Sequence, residues 1–384
     1  MKIGILTQPM AANYGCNLQA YALQTTLERM GHSVEILDRW GTNPELDKTK
    51  IIKTFTSFAK DCIKFCIRRP IYHSIKVKDR AYFWQNIISF QKNYLHISPQ
   101  HYSYSQLKNY VESVGFDGYV VGSDQVWRPS YNKNGMLENM FLDFTLDMKV
   151  KKISYAASFG VDEWEYTDQQ TLKCSILAKQ FDGISVREDS AIMLCKKYLG
   201  VNAKHVLDPT MLLNKEDYNT LIDIDRRTNK KSEGNLFCYI LDSSDSVLEV
   251  IDYVETKTGL KRHIFLPNIP ENGYDIFHKE NSVLPSPEEW LKSFRDAKLI
   301  LVDSFHGAVF SIIYNKPFWV IANRKRGMAR FYSLLKMFKL EERLVNIEQI
   351  KTINLEKEIN WDLVNSIKNE KQIESLDFLE QFLK

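Results

Sequence analysis

Glycine and proline are scarce in this chain, 16 and 11 of 384 residues, which excludes collagen-like or long low-complexity architecture. Cysteine is scarce too. Cys16, Cys62, Cys66, Cys174, Cys195 and Cys238 form no CxxC pair and no Cys/His cluster at zinc spacing, so neither a zinc site nor a disulfide framework is expected. Scattered thiols in a chain this long read as reduced and cytosolic. No run of about 18 apolar residues offers a membrane span. The segment Met1 to Gln8 turns polar too soon for a signal peptide, so the expected location is cytoplasmic, with an inner-face membrane association left open by a basic segment taken up below. The net charge of +3 lacks the concentrated basic stripe of a nucleic-acid binder. Glycine-rich nucleotide loops (GxGxxG, GxxxxGK[ST]), the GxSxG elbow, HExxH and paired carboxylates are also missing, which removes dinucleotide, P-loop, serine-hydrolase and metalloprotease readings. No metal and no cofactor are expected.

What is present is a repeated strand–turn–helix rhythm. A short apolar run over 2–7 leads to Asn13-Tyr14-Gly15. Leu18, Ala22, Leu23, Leu27 and Met30 then follow at helical spacing, Gly31 ends the helix, and 34–38 reads as a strand. This is a βαβ unit and predicts a parallel sheet. Further strands are expected at 118–121, 153–157, 183–186 and 205–207, then 236–241, 299–302 and 318–321, with a helix start at Ser286-Pro287-Glu288-Glu289. Two α/β domains follow from this pattern, Rossmann-like by the resemblance given below: 1–214, with a basic helical insertion over about 43–115, and 235–350. A polar linker is placed at 215–234 and a helical tail at 351–384.

Ligands of open parallel sheets bind beyond the carboxyl ends of the strands, so the polar turns there are the candidate site. Asn13, Tyr14 and Gly15 open a helix whose free N–H groups suit an anion; the plain alternative is a cap. Ser123, Asp124 and Trp127 follow the 118–121 strand, where a carboxylate can hold a sugar hydroxyl or take its proton. Arg187 can clamp a phosphate or carboxylate with two parallel bonds, or pair with a neighbouring acid. His306, within Asp303-Ser304-Phe305-His306-Gly307, can donate to an anion or act as general acid, and Gly307 permits close backbone approach.

These turns, taken in order, resemble the polysaccharide pyruvyl transferase family. The match runs through Asn13-Tyr14-Gly15 with Leu18 to Gln24, Gly122-Ser123-Asp124-Gln125-Val126-Trp127 and Ser154 to Gly160. It continues through Ser185-Val186-Arg187-Glu188, Leu207-Asp208-Pro209-Thr210 and Ser304-Phe305-His306-Gly307, with Arg330 before Leu334-Leu335. The resemblance implies a glycosyltransferase-B-like arrangement of the two domains around a cleft. It implies phosphoenolpyruvate as donor, a sugar of a surface glycan or its lipid-linked precursor as acceptor, and a pyruvate ketal as product. On that basis His306 and Asp124 are expected to be catalytic, and Arg187, Ser304, His306, Gly307 and Arg330 to bind the donor. Asn13, Tyr14, Gly15, Ser123, Asp124 and Trp127 are expected at the acceptor or cleft. Many members carry arginine where this chain has Ser304, so Arg187, Arg330 or the cluster Arg324-Lys325-Arg326 must supply that charge. A nucleotide-sugar glycosyltransferase and a non-catalytic glycan-binding relative are the competing readings.

Residues 48–80 carry ten Lys or Arg against two Asp. Either this is a solvated helical excursion, or a basic amphipathic face that meets an anionic membrane.

Overall fold

A computed structural model describes residues 1–41, 72–73, 76–133, 135–225, 227, 234–267, 273–323 and 327–384. In chain order the strands are β1 Lys2–Leu6, β2 Ser33–Leu37, β3 Tyr72–His73, β4 Gly118–Val121, β5 Lys151–Ala157, β6 Gly183–Val186 and β7 Lys204–His205. They continue as β8 Leu236–Tyr239, β9 Arg262–Ile264, β10 Tyr274–Asp275, β11 Leu299–Val302, β12 Phe318–Ile321 and β13 Leu344–Val345. Two sheets carry the fold, in the orders β2-β1-β4-β5-β6-β7 and β13-β12-β11-β8-β9, and every pairing within them is parallel. The short β3 and β10 pair antiparallel across the two halves of the chain.

The local reasons are the ones the sequence suggests. Strands β4, β6, β8, β11 and β12 are buried at every position, as expected of parallel strands covered on both faces. The first helix, Tyr14–Arg29, starts where the Asn13 side chain accepts from the Cys16 amide, a side-chain cap for an otherwise orphan donor. Ser286 and Glu289 form a reciprocal capping box on helix Pro287–Asp296, with Pro287 in its first turn.

Each sheet changes winding direction once. In the first, the chain runs outward to β2 on one side of β1 and to β4 on the other; in the second, β9 and β11 flank β8 in the same way. The ends of β1 and β4 face the ends of β8 and β11 across the cleft between the sheets. These switch points are where open α/β sheets leave room for a ligand.

The cleft floor is apolar and continuous. One buried core cluster runs from Ile3 and Tyr14 of the first domain through Trp290, Phe305 and Phe310 of the second. Tyr14 stacks on Trp290 at 5.9 Å between ring centroids, and its hydroxyl donates to the Pro285 carbonyl at 2.8 Å. Helix Trp361–Leu383 returns to the first domain, where Phe378 meets Tyr155 and the Leu207 amide donates to Ser375 Oγ.

The segment expected to be a linker begins instead as helix Lys215–Ile224, whose buried Tyr218, Leu221 and Ile222 face the core; its charges lie on the opposite face. Most of the basic stretch 48–80, and Arg324-Lys325-Arg326, lie outside the described residues. Downstream of it, helices Gln85–Tyr94 and Tyr104–Val114 do precede β4. Among the described residues, no helix is long and apolar enough to cross a membrane.

Candidate functional site

Both switch points open into one cavity of about 370 Å³. Its polar lining includes Asn13, Asp124, Gln125, Asp303, Ser304, His306 and Arg330, and Tyr239, Leu241, Leu266 and Leu284 also line it. The start of helix Phe305–Ile313, directly after β11, and the start of helix Tyr14–Arg29 both reach it.

Asp124 follows β4 in the left-handed region, at φ 67°, a conformation that aspartate tolerates better than most residues. The turn directs its carboxylate inward. Burial would raise the proton affinity of Asp124, but Arg187, His306 and Arg330 outweigh it and hold the carboxyl below its ordinary range.

Arg187, at the end of β6, is fully enclosed. Its Nη1 donates to Asp208 Oδ2 at 2.8 Å and to Ser123 Oγ at 3.3 Å, and its Nη2 lies 3.4 Å from Asp124 Oδ1. The guanidinium sits 4.5 Å from the centroid of Phe305. The acids raise the arginine's proton affinity despite its burial. Arg187 is therefore the neutralising partner of two carboxylates and lies behind the cavity wall rather than clamping a ligand from it.

Arg330 is different. It lines the cavity, 5.4 Å from the centroid of the same Phe305 ring. Burial, followed by the repulsion of Arg187, lowers its proton affinity to about 10. The acids Asp124 and Glu188 oppose that effect. The Ser304 hydroxyl itself accepts from the Gly307 amide at 3.4 Å and caps the helix.

His306 enters from the second domain. Its Nε2 is 3.5 Å from Asp208 Oδ2, and its Nδ1 edge lies over Gly15. Two glycines expected to serve a ligand serve packing instead. A methyl at Gly15 would meet His306 Nδ1 at 2.1 Å, and one at Gly307 would meet Val302 Cγ1 at 2.8 Å. Gly15 admits the imidazole, and Gly307 lets its helix settle on β11. Trp127 is not in the cleft. It is fully buried, stacked on Phe141 at 4.8 Å, with its Nε1 donating to the Met140 carbonyl; the backbone turns after Asp124 and points the indole into the first domain's core.

Two acids of the site were not singled out from the sequence. Asp208 follows β7 at the same carboxyl edge as Asp124, which is the signal that identifies it. Burial opposes its ionisation, yet His306 and then Arg187 hold it far below the usual carboxylate range. Glu188 follows Arg187. It accepts from Ser158 Oγ and from the Gly160 amide, and burial pushes its carboxyl up.

A family model described as polysaccharide pyruvyl transferase matches residues 13–325. No curated protein matches the chain. Similar solved structures include UGT89C1 of Arabidopsis thaliana complexed with UDP-L-rhamnose, at 9% identity and a TM-score of 0.50 over 99% of this chain and 98% of that one. A ugt transferase from Siraitia grosvenorii in complex with UDP is 12% identical, with a TM-score of 0.47 over 100% of both chains. UDP-GlcNAc 2-epimerase from Neisseria meningitidis bound to UDP-GlcNAc is 10% identical, with a TM-score of 0.47 over 98% of this chain and 99% of that one. At 9% identity the likeness to UGT89C1 is one of fold, the glycosyltransferase-B arrangement of two parallel-sheet domains about a cleft.

Proposed function

The chain belongs to the polysaccharide pyruvyl transferase family, and we propose that it moves the enolpyruvyl group of phosphoenolpyruvate onto two hydroxyls of a sugar. The acceptor is a surface polysaccharide or its lipid-linked precursor, and the product is a cyclic pyruvate ketal. The observation that carries this reading is the joint presence of Arg330, His306 and Asp124 in the lining of one cavity that opens at both switch points.

Phosphoenolpyruvate brings a phosphate and a carboxylate. Arg330 and the free N–H groups at the starts of helices Tyr14–Arg29 and Phe305–Ile313 suit such anions. The reaction begins when His306 gives a proton to the methylene carbon, making it a methyl group and leaving an oxocarbenium-like centre on the neighbouring carbon. A sugar hydroxyl adds to that carbon. The bond from carbon to the bridging phosphate oxygen then breaks, and a second hydroxyl closes the ring. Of the two hydroxyl protons, one leaves with phosphate and the other restores the acid. Asp124 orients the first hydroxyl and accepts its proton in passing. The wall of Tyr239, Leu241, Leu266 and Leu284 is suited to the less polar face of the acceptor ring.

General acid catalysis is worth about 10²–10⁴-fold, so His306→Ala should lose at least that much phosphate release while remaining folded. The donor is tested by thermal unfolding. Phosphoenolpyruvate at millimolar concentration should raise the melting temperature, and UDP-sugars should not. Stabilisation by a UDP-sugar alone would instead indicate a nucleotide-sugar glycosyltransferase. Binding of glycan with no phosphate released from phosphoenolpyruvate would indicate a non-catalytic relative.

A further inference from the structure

We propose that Asp208 is a positioning residue that fixes which nitrogen of His306 serves the cavity. This rests on the reading of His306 as the proton donor. Asp208 is held from both sides. Its Oδ1 accepts from the Thr210 amide at 3.0 Å and the Thr210 hydroxyl at 2.7 Å. Its Oδ2 accepts from Arg187 Nη1 and Ser123 Oγ and faces His306 Nε2 at 3.5 Å. The carboxylate therefore cannot turn away from the imidazole without breaking four hydrogen bonds within its own domain.

His306 Nε2 is enclosed and makes no hydrogen bond, since 3.5 Å exceeds the usual N–H···O range of about 2.7–3.2 Å. A bare lone pair on that nitrogen would point at a carboxylate that stays ionised. A proton there points at it favourably. The charge of Asp208 thus selects the tautomer protonated on Nε2. The nitrogen left for exchange is Nδ1, on the opposite edge of the ring, over Gly15, where His306 and Tyr14 both line the cavity. In the transfer step the Nδ1–H bond breaks and a C–H bond forms at the methylene carbon of phosphoenolpyruvate, using the double bond's electron pair. The imidazole is left neutral with its Nε2–H still toward Asp208, and a hydroxyl proton of the acceptor later returns to Nδ1. One buried carboxylate in the first domain thereby sets the orientation of the acid supplied by the second.

The test is long-range ¹H–¹⁵N NMR on the full chain labelled at histidine, with the His306 signals identified by their loss in His306→Gln. The expected result is that the neutral form of the His306 imidazole, reached by raising the pH, carries its proton on Nε2 in the wild type. Asp208→Asn should shift the population toward Nδ1–H, because the negative charge that favours a proton on Nε2 is gone. Phosphate release should fall by about 10-fold or more and return in part in Asp208→Glu. An Nδ1–H tautomer in the wild type would overturn the proposal, as would an unchanged tautomer in a folded Asp208→Asn. If that variant does not fold, the wild-type tautomer decides alone. No donor is needed for this measurement, so absence of turnover with phosphoenolpyruvate would count against the proposed reaction and not against the role of Asp208.

Discussion

Gly15 and His306, 291 positions apart in the chain, share one space: a methyl group at Gly15 would lie 2.1 Å from His306 Nδ1. The first turn of the first helix is in this way shaped to the catalytic candidate of the other domain, and the contact crosses the cleft beneath the cavity.

Gly15→Ala should therefore act on function more than on folding. The imidazole must swing away or the helix must shift, at a cost of about 1–3 kcal/mol. Phosphate release is expected to fall by about 10²-fold or more, as if the acid were lost. Steady-state kinetics together with urea unfolding checks both parts, and near-normal turnover would contradict the packing.

Arg187→Met should do the reverse. Removing this guanidinium strands Asp208 and Asp124 as buried, uncompensated carboxylates. Breaking a buried pair in this way costs about 3–5 kcal/mol, read as a lower urea midpoint. A variant as stable as the wild type would mean that Arg187 is free to serve a ligand.

Arg330→Met should be somewhat less stable than the wild type. Burial and the neighbouring Arg187 lower the proton affinity of Arg330 to about 10, yet its charge helps to hold the buried carboxylates of Asp124 and Glu188, and losing that support costs about 1–3 kcal/mol. The same variant should lose the thermal stabilisation given by phosphoenolpyruvate. Paired melting curves, with and without the donor, measure both effects in one experiment.

His205 predicts a pH dependence. Its Nε2 contacts the Arg187 carbonyl at 3.0 Å and, across the domain boundary, Ser333 Oγ at 3.2 Å. Burial lowers its proton affinity below the ordinary 6.5, although the Arg187 carbonyl and Asp189 oppose this and Lys371 and Lys336 reinforce it. As pH falls through 6.5 the unfolded chain takes up the proton first, so stability is lost from there down to the folded value. The loss is at most about 1.4 kcal/mol per pH unit. Melting temperatures between pH 7.5 and 5.5 should fall more steeply for the wild type than for His205→Gln; parallel curves would remove His205 as the cause.

The sequence by itself determined the alternation of strands and helices, because a buried parallel strand and an amphipathic helix leave different periods of apolar residues. It also determined the carboxyl-end turns bearing Asp124, Arg187 and His306, because such turns are polar interruptions between apolar runs. It did not determine which of those side chains share a space. Arg187 reads equally as an anion clamp or an ion-pair partner until the fold brings the turn after β7, with Asp208, alongside. Trp127 reads as a cleft aromatic until the turn at Asp124 sends it into the core. Gly15 and Gly307 read as ligand contacts until His306 and Val302 fill the spaces that they leave. Lys215–Ile224 reads as a linker because its charges dominate a short stretch, whereas tertiary packing rewards its few apolar residues. Local pattern records what each residue needs from a core or from water. Only the closing of two domains on one another decided which of these side chains line one cavity, with Arg330, His306 and Asp124 among them.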